Sequence, residues 1–244
     1  MPEGPSLIIL KEKLEPFSRK KVTAAGGYTK METAWLKGQQ LKEIKTWGKH
    51  LLLIFPKGTV RIHLRLFGSV LVNETKKVNA SFFLKFGKDE VNFYVVEAKF
   101  IKEKLEDVYD WRTDIMDPKW NAAHVKELMK VHGEAYIGDL LMNQDVFTGV
   151  GNIIRVEVLF RVGLHPLAKV ADIPATKITA LLKDLRAYGK IFLKERKAGI
   201  FGDNWEAYQQ EICPRDDIDF HVGIIGKTKR KTYYCNRCQL KYKS

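Results

Sequence analysis

The start of the chain, Met1-Pro2-Glu3-Gly4-Pro5, places a proline where its nitrogen could act as a nucleophile. Removal of Met1 would leave the Pro2 nitrogen as a free secondary amine. An α-amino group titrates near pH ~8 and a lysine amine near ~10.4, so such a terminus offers far more neutral amine at physiological pH. Its attack on an aldehydic carbon gives a cationic iminium, and the adjacent Glu3 could transfer the protons. The alternative is that this segment is only a turn-like start to a helix.

A glycine-rich segment precedes a helical pattern in the middle of the chain. Gly149, Gly151 and Asn152 stand directly before the apolar spacing of residues 153–160. Backbone amides at a helix N-terminus bind anions, and glycines let a phosphate come close. A nucleic-acid phosphate is the ligand that this pattern favours, and the alternative is a helix corner that requires positive φ.

The three cysteines suggest a metal site near the end of the chain. Cys235 and Cys238 have the C-x-x-C spacing, and Cys213 lies upstream of them. Zinc takes four ligands, so either His221 or Asp216 must complete the set. His221 is the better zinc ligand chemically and is our preferred choice. Asp216 is the alternative because it has the x-x spacing from Cys213 that a second knuckle would use.

Between these cysteines lies a segment rich in positive charge, which we expect to form the tip of a hairpin. Cationic side chains at such a tip suit phosphate contact or insertion into a groove. The residues concerned are Lys227, Lys229, Arg230 and Lys231.

Three kinds of element must position these residues. Helical spacing is predicted for residues 6–17, 122–131, 135–141, 153–160 and 176–194. Short β-like runs separated by turn residues occupy 41–47, 51–55, 60–66, 69–72, 81–86 and 91–96, which is typical of an antiparallel sandwich or barrel. The last stretch, 212–244, is basic and too poor in apolar residues for a core of its own. The predicted fold class is therefore α+β.

The composition favours an extended polyanion as partner. The 244 residues contain 42 Lys and Arg against 29 Asp and Glu, a formal charge of +13. Apolar residues make up 45%, which argues against disorder. With so few cysteines and no apolar run long enough to span a bilayer, we expect a cytoplasmic protein with no membrane contact. We also expect it to be a monomer associated with the nucleoid.

Four motifs in order resemble the formamidopyrimidine-DNA glycosylase and endonuclease VIII family of oxidised-base repair enzymes, over nearly the whole chain. The start of the chain looks like the endonuclease VIII variety. The motifs are Pro2-Glu3-Gly4-Pro5, Trp47-Gly48-Lys49-His50-Leu51-Leu52, the segment from Gly149 to Gly163, and the segment from Arg230 to Gln239. The resemblance implies a β-sandwich catalytic domain in 1–113, a helix–two-turn–helix DNA-binding domain in 114–211 and a zinc-stapled β-hairpin in 212–244.

The resemblance also implies a bifunctional glycosylase and apurinic/apyrimidinic lyase that acts in base excision repair on a flipped base of double-stranded DNA. By similarity Pro2 attacks C1′ of the lesion nucleotide, and Glu3 handles the proton transfers at the sugar. Lys49 is the proton donor of β-elimination, and Arg230 grips phosphate and assists δ-elimination. Asn152 contacts the DNA backbone, and zinc is structural. The alternative for Lys49 is a solvent-facing lysine of a β-strand.

The segment His63-Leu-Arg65-Leu66-Phe67-Gly68 resembles the family's wedge loop, and we expect it, like Lys229, to contact DNA. Unstacking a base costs a few kcal/mol, and inserted aliphatic and aromatic side chains replace part of that stacking. Leu66 and Phe67 would fill the gap and Arg65 would face the orphaned base. A wedge made of consecutive residues resembles the endonuclease VIII branch of the family, so we expect oxidised pyrimidines as the substrates.

The chain departs from the family pattern at three places. Ser6 stands where the family usually carries a Glu that supports the active site, the knuckle lacks its second cysteine, and residues 111–118 keep only part of the family's linker. Ser6 motivates an alternative hypothesis, a damage-binding DNA protein of the same fold without turnover. A zinc-hairpin RNA-binding protein is a third reading of the same features.

Overall fold

The computed structural model of the protein describes residues 2–242 and divides into two compact units. The first unit contains Pro2 and Ser6–Tyr109, and the second contains Glu3–Pro5 and the chain from Asp110 onward. The three-domain division inferred from the sequence stays a prediction.

Six α-helices and eight strands are defined within residues 2–242, besides four short 3-10 helices. The helices are α1 (Gly4–Leu14), α2 (Leu105–Val108), α3 (Ala122–Lys130), α4 (Ile137–Leu140), α5 (Asn152–Arg161) and α6 (Ala175–Ala198). The strands are β1 (Ala24–Gly26), β2 (Glu43–Trp47), β3 (His50–Phe55), β4 (Gly58–Val72), β5 (Phe82–Phe86), β6 (Asp89–Ile101), β7 (His221–Ile225) and β8 (Arg230–Tyr234).

The first unit is built on an antiparallel sheet whose strand order is β1-β5-β6-β4-β3-β2. Strands β4 and β6 are long enough to pair in two separate stretches. The register of this pair shifts between Leu64 and Ser69, so four residues of β4 leave the ladder there. Such an irregularity bends a strand and turns side chains away from the sheet face. It places residues 65–68 at a bend in β4.

The core of the first unit follows from the alternation of apolar residues along its strands. Leu51, Leu53, Val60 and Ile62 are buried together, as expected for residues two apart on paired strands. Leu7 of α1 joins the same core.

The second unit is helical and ends in the two-stranded β7–β8 hairpin. All of residues 154–160 on α5 are buried. This helix packs on both sides because Ile154 and Val158 join the main helical core, while Val156 and Phe160 join a smaller cluster with Cys213 and Cys235. Helix α5 is therefore the centre of this unit.

The α+β class predicted from the sequence is confirmed, with the strands first, the helices in the middle and the hairpin last. The runs 60–66 and 69–72 belong to one strand, β4. Two short elements, β1 and α2, are not in the sequence prediction because each offers too few residues for a periodic pattern. None of the helices within residues 2–242 is both long and apolar enough to cross a membrane.

Candidate active site

Glu3 caps the N-terminus of α5. Its buried carboxylate accepts hydrogen bonds from the amides of Gly151 at 3.0 Å, Ile153 at 2.8 Å and Ile154 at 3.2 Å. These amides lie in the first turn of the helix, where no main-chain carbonyl can pair with them and the helix dipole favours an anion. The residue that follows Pro2 is thereby fixed within the second unit.

The glycines of the Gly149-Val150-Gly151 segment make this approach possible. A Cβ on Gly151 would lie 2.3 Å from the Glu3 carboxyl carbon, so no larger residue fits beside the carboxylate. Gly149 has a φ of +92°, and its carbonyl accepts a 2.9 Å hydrogen bond from the amide of Gly4. The expectation that a nucleic-acid phosphate binds these helix amides is wrong, because the chain supplies its own anion there.

Asn152 turns its side chain toward the C-terminal hairpin. Its Nδ2 donates to the main-chain carbonyl of Lys231 at 2.9 Å, and its Oδ1 accepts from Nη2 of Arg155 at 2.7 Å. The structure therefore brings Asn152 and the basic hairpin together. Lys229 and Arg230 are both exposed, the first in the turn and the second at the start of β8.

Lys49 lies in the two-residue turn between β2 and β3 and is only 8% exposed. The solvent-facing alternative is therefore wrong. The ring of Trp47 packs at 4.6 Å from Tyr109 and at 5.6 Å from His50, both distances between ring centroids. His63 hydrogen-bonds the main chain of Lys49. The turn that carries the lysine rests on an aromatic cluster.

Two histidines in this cluster are held neutral. Burial, reinforced by the positive charge of Arg61, lowers the pKa of His50 to about 3. Burial also lowers the pKa of His63, while its hydrogen bond to the main chain of Lys49 opposes the shift. The rings of the two histidines pack edge to face at 5.2 Å. Neutral rings add no positive charge next to the lysine.

The bend in β4 presents the wedge residues to solvent. Leu66 is 56% exposed and Phe67 is 83% exposed, with Phe67 in the left-handed region at φ +66°. It is unusual for two adjacent apolar side chains to be so exposed in a strand whose first half is buried in the core. Arg65 is also exposed, and its Nη2 forms a 3.0 Å salt bridge with Glu97.

The structure brings the three cysteines together with Asp216, the alternative fourth ligand, and not with His221, the preferred one. Sγ of Cys213 lies 3.8 Å from Sγ of Cys238, and Oδ2 of Asp216 lies 3.6 Å from Sγ of Cys213 and 3.2 Å from Sγ of Cys235. The ligand atoms of these four residues all lie within 4.8 Å of one another. Three thiolates and one carboxylate form a donor set that suits zinc.

His221 lies outside this cluster. It is exposed on β7, where it pairs with Tyr234 and its ring stacks on the tyrosine ring at 5.5 Å. Asp216 reaches the cysteines because the chain turns back at this point, with the amide of Asp217 donating to the carbonyl of Cys213 at 3.0 Å. The chemistry of zinc ligands favoured His221 as the fourth ligand, but the geometry of this turn places Asp216 beside the cysteines.

Two family models match this chain. The formamidopyrimidine-DNA glycosylase N-terminal domain matches residues 1–100, and the formamidopyrimidine-DNA glycosylase H2TH domain matches residues 115–197. Together they account for both the sheet and the helices that hold Glu3 and Asn152.

The chain belongs to the formamidopyrimidine-DNA glycosylase and endonuclease VIII family.

Relatives from both branches of the family are similar to it. Human endonuclease 8-like 3 is 30% identical over 205 residues, which cover 80% of this chain and 34% of the human protein. The formamidopyrimidine-DNA glycosylase of Roseiflexus sp. is 28% identical over 227 residues, covering 81% of this chain and 82% of that protein. The chain spans about a third of the length of the endonuclease 8-like 3 proteins that it matches.

Solved structures share the fold of this family member. A viral DNA glycosylase superposes with a TM-score of 0.85 at 22% identity, covering 98% of this chain and all of that one. The Lactococcus lactis formamidopyrimidine-DNA glycosylase, crystallised non-covalently bound to DNA containing an abasic site, gives a TM-score of 0.85 at 18% identity with the same coverage.

Sequence reasoning missed three charged residues of this family member. Arg155 and Asp139 contact the segments that carry Asn152 and Arg230, and Glu97 pairs with Arg65. The signal for Arg155 was present, because an arginine stands on a helix whose neighbours from 154 to 160 are otherwise almost all apolar. No sequence pattern marks Asp139 or Glu97, whose partners lie far away along the chain.

Proposed function

We propose that this protein is a bifunctional DNA glycosylase and apurinic/apyrimidinic lyase that removes oxidised bases from duplex DNA in base excision repair. The observation that carries the proposal is the capture of Glu3 by the N-terminus of α5. A buried carboxylate fixed next to Pro2 is what proton transfer beside an N-terminal nucleophile requires.

The first chemical step is assigned to Pro2 after removal of Met1. Its neutral nitrogen forms a bond to C1′ of the damaged nucleotide, the bond from C1′ to the base breaks, and the base leaves with a proton. The bonded nitrogen gives up its N–H proton to the departing base, the sugar ring opens with proton transfer to its ring oxygen, and the nitrogen lone pair then forms the cationic iminium. We assign the proton transfers at the sugar to Glu3, whose carboxylate is oriented by three amides.

The second step is strand cleavage. The iminium withdraws electrons from C1′, so a proton leaves C2′ and the bond between C3′ and the phosphate oxygen breaks. A second elimination releases the 5′ phosphate. We assign the proton donor of β-elimination to Lys49 and the phosphate grip that assists δ-elimination to Arg230. The burial of Lys49 on an aromatic cluster supports a specific role, because a lysine without one would extend into water.

The lesion is expected to be flipped out of the helix while the wedge fills the space. The exposed Leu66 and Phe67 support this role, since they lie outside the core and have the size to replace stacked bases. Their consecutive arrangement supports oxidised pyrimidines as the preferred substrates. We propose that the protein acts as a monomer on damaged double-stranded DNA, with His63, Asn152 and Lys229 among its DNA contacts.

Zinc is proposed as a structural ion. Cys213, Asp216, Cys235 and Cys238 would hold it, and it would link the segment before β7 to the segment after β8. When bound, it supplies structural cross-linking that a hairpin with few apolar residues lacks. The chemistry at the sugar is assigned to this chain's own residues.

Duplexes carrying thymine glycol, 8-oxoguanine or an abasic site test the proposal. Protein shown by intact mass to begin at Pro2 is compared with Pro2→Gly and Glu3→Gln, and with Lys88→Gln as a matched surface control. Base release and strand cleavage that need Pro2 and Glu3 but not Lys88 would support it. Tight binding of damaged DNA without base release or cleavage would instead favour the damage-binding protein, and Ser6→Glu would then be the first variant to test for restored turnover.

A further inference from the structure

Arg155 is a buried cation on α5, with 1% of its surface exposed. It donates to the carbonyl of Gly138 at 3.3 Å, to Oδ1 of Asn152 at 2.7 Å and to Oγ1 of Thr232 at 2.6 Å. These three acceptors belong to α4, the start of α5 and β8. One side chain therefore ties three elements of the second unit together.

Asp139, next to Gly138 on α4, holds the other end of the hairpin. Its carboxylate accepts from the amide of Lys227 and from both the amide and hydroxyl of Thr228, each at 2.9 Å. A Cβ on Gly226 would lie 2.6 Å from either carboxylate oxygen, so the turn fits closely against this residue. Asp139 thus clamps the turn while Arg155 clamps β8.

These contacts converge on the residues proposed to bind phosphate. Asn152 donates to the carbonyl of Lys231, and the hydroxyl of Thr232 donates to the carbonyl of Arg230 at 2.9 Å. The main chain that carries Arg230 is therefore held on its C-terminal side, through the hydrogen bonds of Asn152 and Thr232. On its N-terminal side, Asp139 holds the turn just before Lys229.

We propose that Arg155 and Asp139 are positioning residues that hold Arg230 and Lys229 in fixed register with the side chain of Asn152, so that the hairpin and this side chain bind DNA phosphates as one preorganised surface. This inference rests on the proposed function for the identity of the ligand, but not for the clamp itself. Preorganisation raises affinity by removing the ordering cost of binding.

The choice of arginine supports positioning over simple core filling. A buried cation costs free energy that an apolar residue would not, and burial lowers the pKa of Arg155 to about 10. The planar guanidinium can reach three acceptors in fixed directions, whereas the single nitrogen of lysine cannot span them. An apolar residue would fill the space but would hold none of the three elements in register.

Binding to a duplex with a stable abasic-site analogue tests the inference. Arg155→Met and Asp139→Asn are each expected to weaken binding by about tenfold, as loss of a hydrogen-bonded positioning contact would. Arg196→Met is the matched control, because it removes the same charge from an exposed site on α6. Wild-type affinity in Arg155→Met and Asp139→Asn, with wild-type cleavage retained, would overturn the inference and leave the proposed function standing.

A double-mutant cycle separates positioning from general destabilisation. If Arg155 acts through Arg230, then adding Arg155→Met to Arg230→Ala should weaken DNA binding by at most about a further twofold. Adding Arg155→Met to Lys49→Ala should weaken binding by the full factor seen for Arg155→Met alone. Full additivity with Arg230→Ala would contradict positioning through that residue. A purely structural role would lower affinity equally in both backgrounds.

Hydrogen exchange tests the clamp without DNA. In free protein, Arg155→Met should raise the exchange rate of the hairpin amides in 223–232 by about fivefold or more while leaving β3 and β4 unchanged. Unchanged hairpin exchange would overturn the clamp. If wild-type protein neither cleaves nor binds lesion DNA, the proposed function fails while the exchange result still decides whether the clamp exists.

Discussion

The Glu3 carboxylate accepts a 3.0 Å hydrogen bond from the amide of Gly151, a residue 148 positions further along the chain. This contact joins the residue after Pro2 to the first turn of a central helix. It gives the helix junction a different role from phosphate binding. The glycines there make room for a protein carboxylate, and the phosphate contacts proposed above are assigned to the exposed hairpin and to the side chain of Asn152.

Replacement of Gly151 by alanine should displace Glu3 without removing it. The new Cβ would overlap the carboxyl group, so the three amides lose their partner and the second unit loses about 1 to 2 kcal/mol of stability, the usual effect of a lost helix cap. Cleavage at an abasic site should fall at least as far as in Glu3→Gln, which keeps one acceptor oxygen. Gel assays and thermal unfolding measure both effects.

Gly133→Ala is the matched control for this substitution. A Cβ at Gly133 would lie 3.4 Å from the Cβ of Ala171, an ordinary contact distance, so both activity and stability should stay close to wild type. Wild-type cleavage by Gly151→Ala would show that the position of the Glu3 carboxylate does not matter to the reaction.

The metal site predicts a clear contrast between Asp216 and His221. Asp216→Ala should abolish stoichiometric zinc binding, and His221→Ala should retain it, because only Asp216 lies with the cysteines. Asp216→Cys should bind zinc about tenfold more tightly or better, since a thiolate is the softer ligand. Metal analysis and chelator competition give these values. Loss of zinc in His221→Ala but not in Asp216→Ala would show that His221 is the fourth ligand.

The buried histidine His50 should make stability depend on pH. The pKa of His50 in the folded protein is about 3 against an ordinary value of 6.5, so between these values only the unfolded chain takes up the proton. The free energy of unfolding should therefore fall as the pH falls below about 6.5, by about 1.4 kcal/mol per pH unit from this residue. Urea unfolding near pH 7 and pH 5 measures it. An equally steep fall in His50→Gln would refute this origin.

The wedge should matter for duplex DNA and not for single strands. Leu66→Ala with Phe67→Ala should reduce base release from a damaged duplex by about tenfold or more, because the gap left by the flipped base is no longer filled. Cleavage of a single-stranded abasic site should change little, since no stack has to be replaced. Equal losses on both substrates would instead indicate damage to the first unit.

Glu97 is expected to influence how the orphaned base is recognised. Its carboxylate binds Arg65 at 3.0 Å, Lys99 at 2.9 Å and Arg61 at 3.3 Å, and the hydrogen bond from Lys99 is the largest cause that lowers its pKa. Glu97→Gln should free Arg65 and reduce discrimination between bases opposite the lesion by about threefold, a modest effect because the pair is partly exposed. Base release from four duplexes that differ only in the opposite base measures it. Unchanged discrimination would place Arg65 away from that base.

The sequence predicted most of the elements and the grouping of the three cysteines because these depend on local patterns. The strand runs, the helix at 153–160 and the C-x-x-C motif each carry their own periodicity or spacing. Two adjacent apolar residues on opposite faces already indicated that Leu66 and Phe67 could not share one core face.

The errors came from contacts between distant residues. The preference for His221 over Asp216 is a separate case, because the x-x spacing from Cys213 already indicated Asp216 and ligand chemistry was given more weight than the local turn at Cys213. The helix-terminus amides were predicted to bind phosphate because nothing in the sequence shows that Glu3 folds back onto them. Arg155 stands out in the sequence among apolar neighbours, but its role is evident only when its three acceptors are placed around it.

The most direct test of the account identifies the atom that becomes attached to DNA. Protein beginning at Pro2 is incubated with an abasic-site duplex, reduced with borohydride, digested and mapped by mass spectrometry. A reduced sugar adduct is expected on the N-terminal peptide, at the nitrogen of Pro2, and none at Pro2 in protein that retains Met1, where this nitrogen is part of a peptide bond. An adduct on Lys49 or another lysine, or no adduct from folded protein that starts at Pro2, would contradict it.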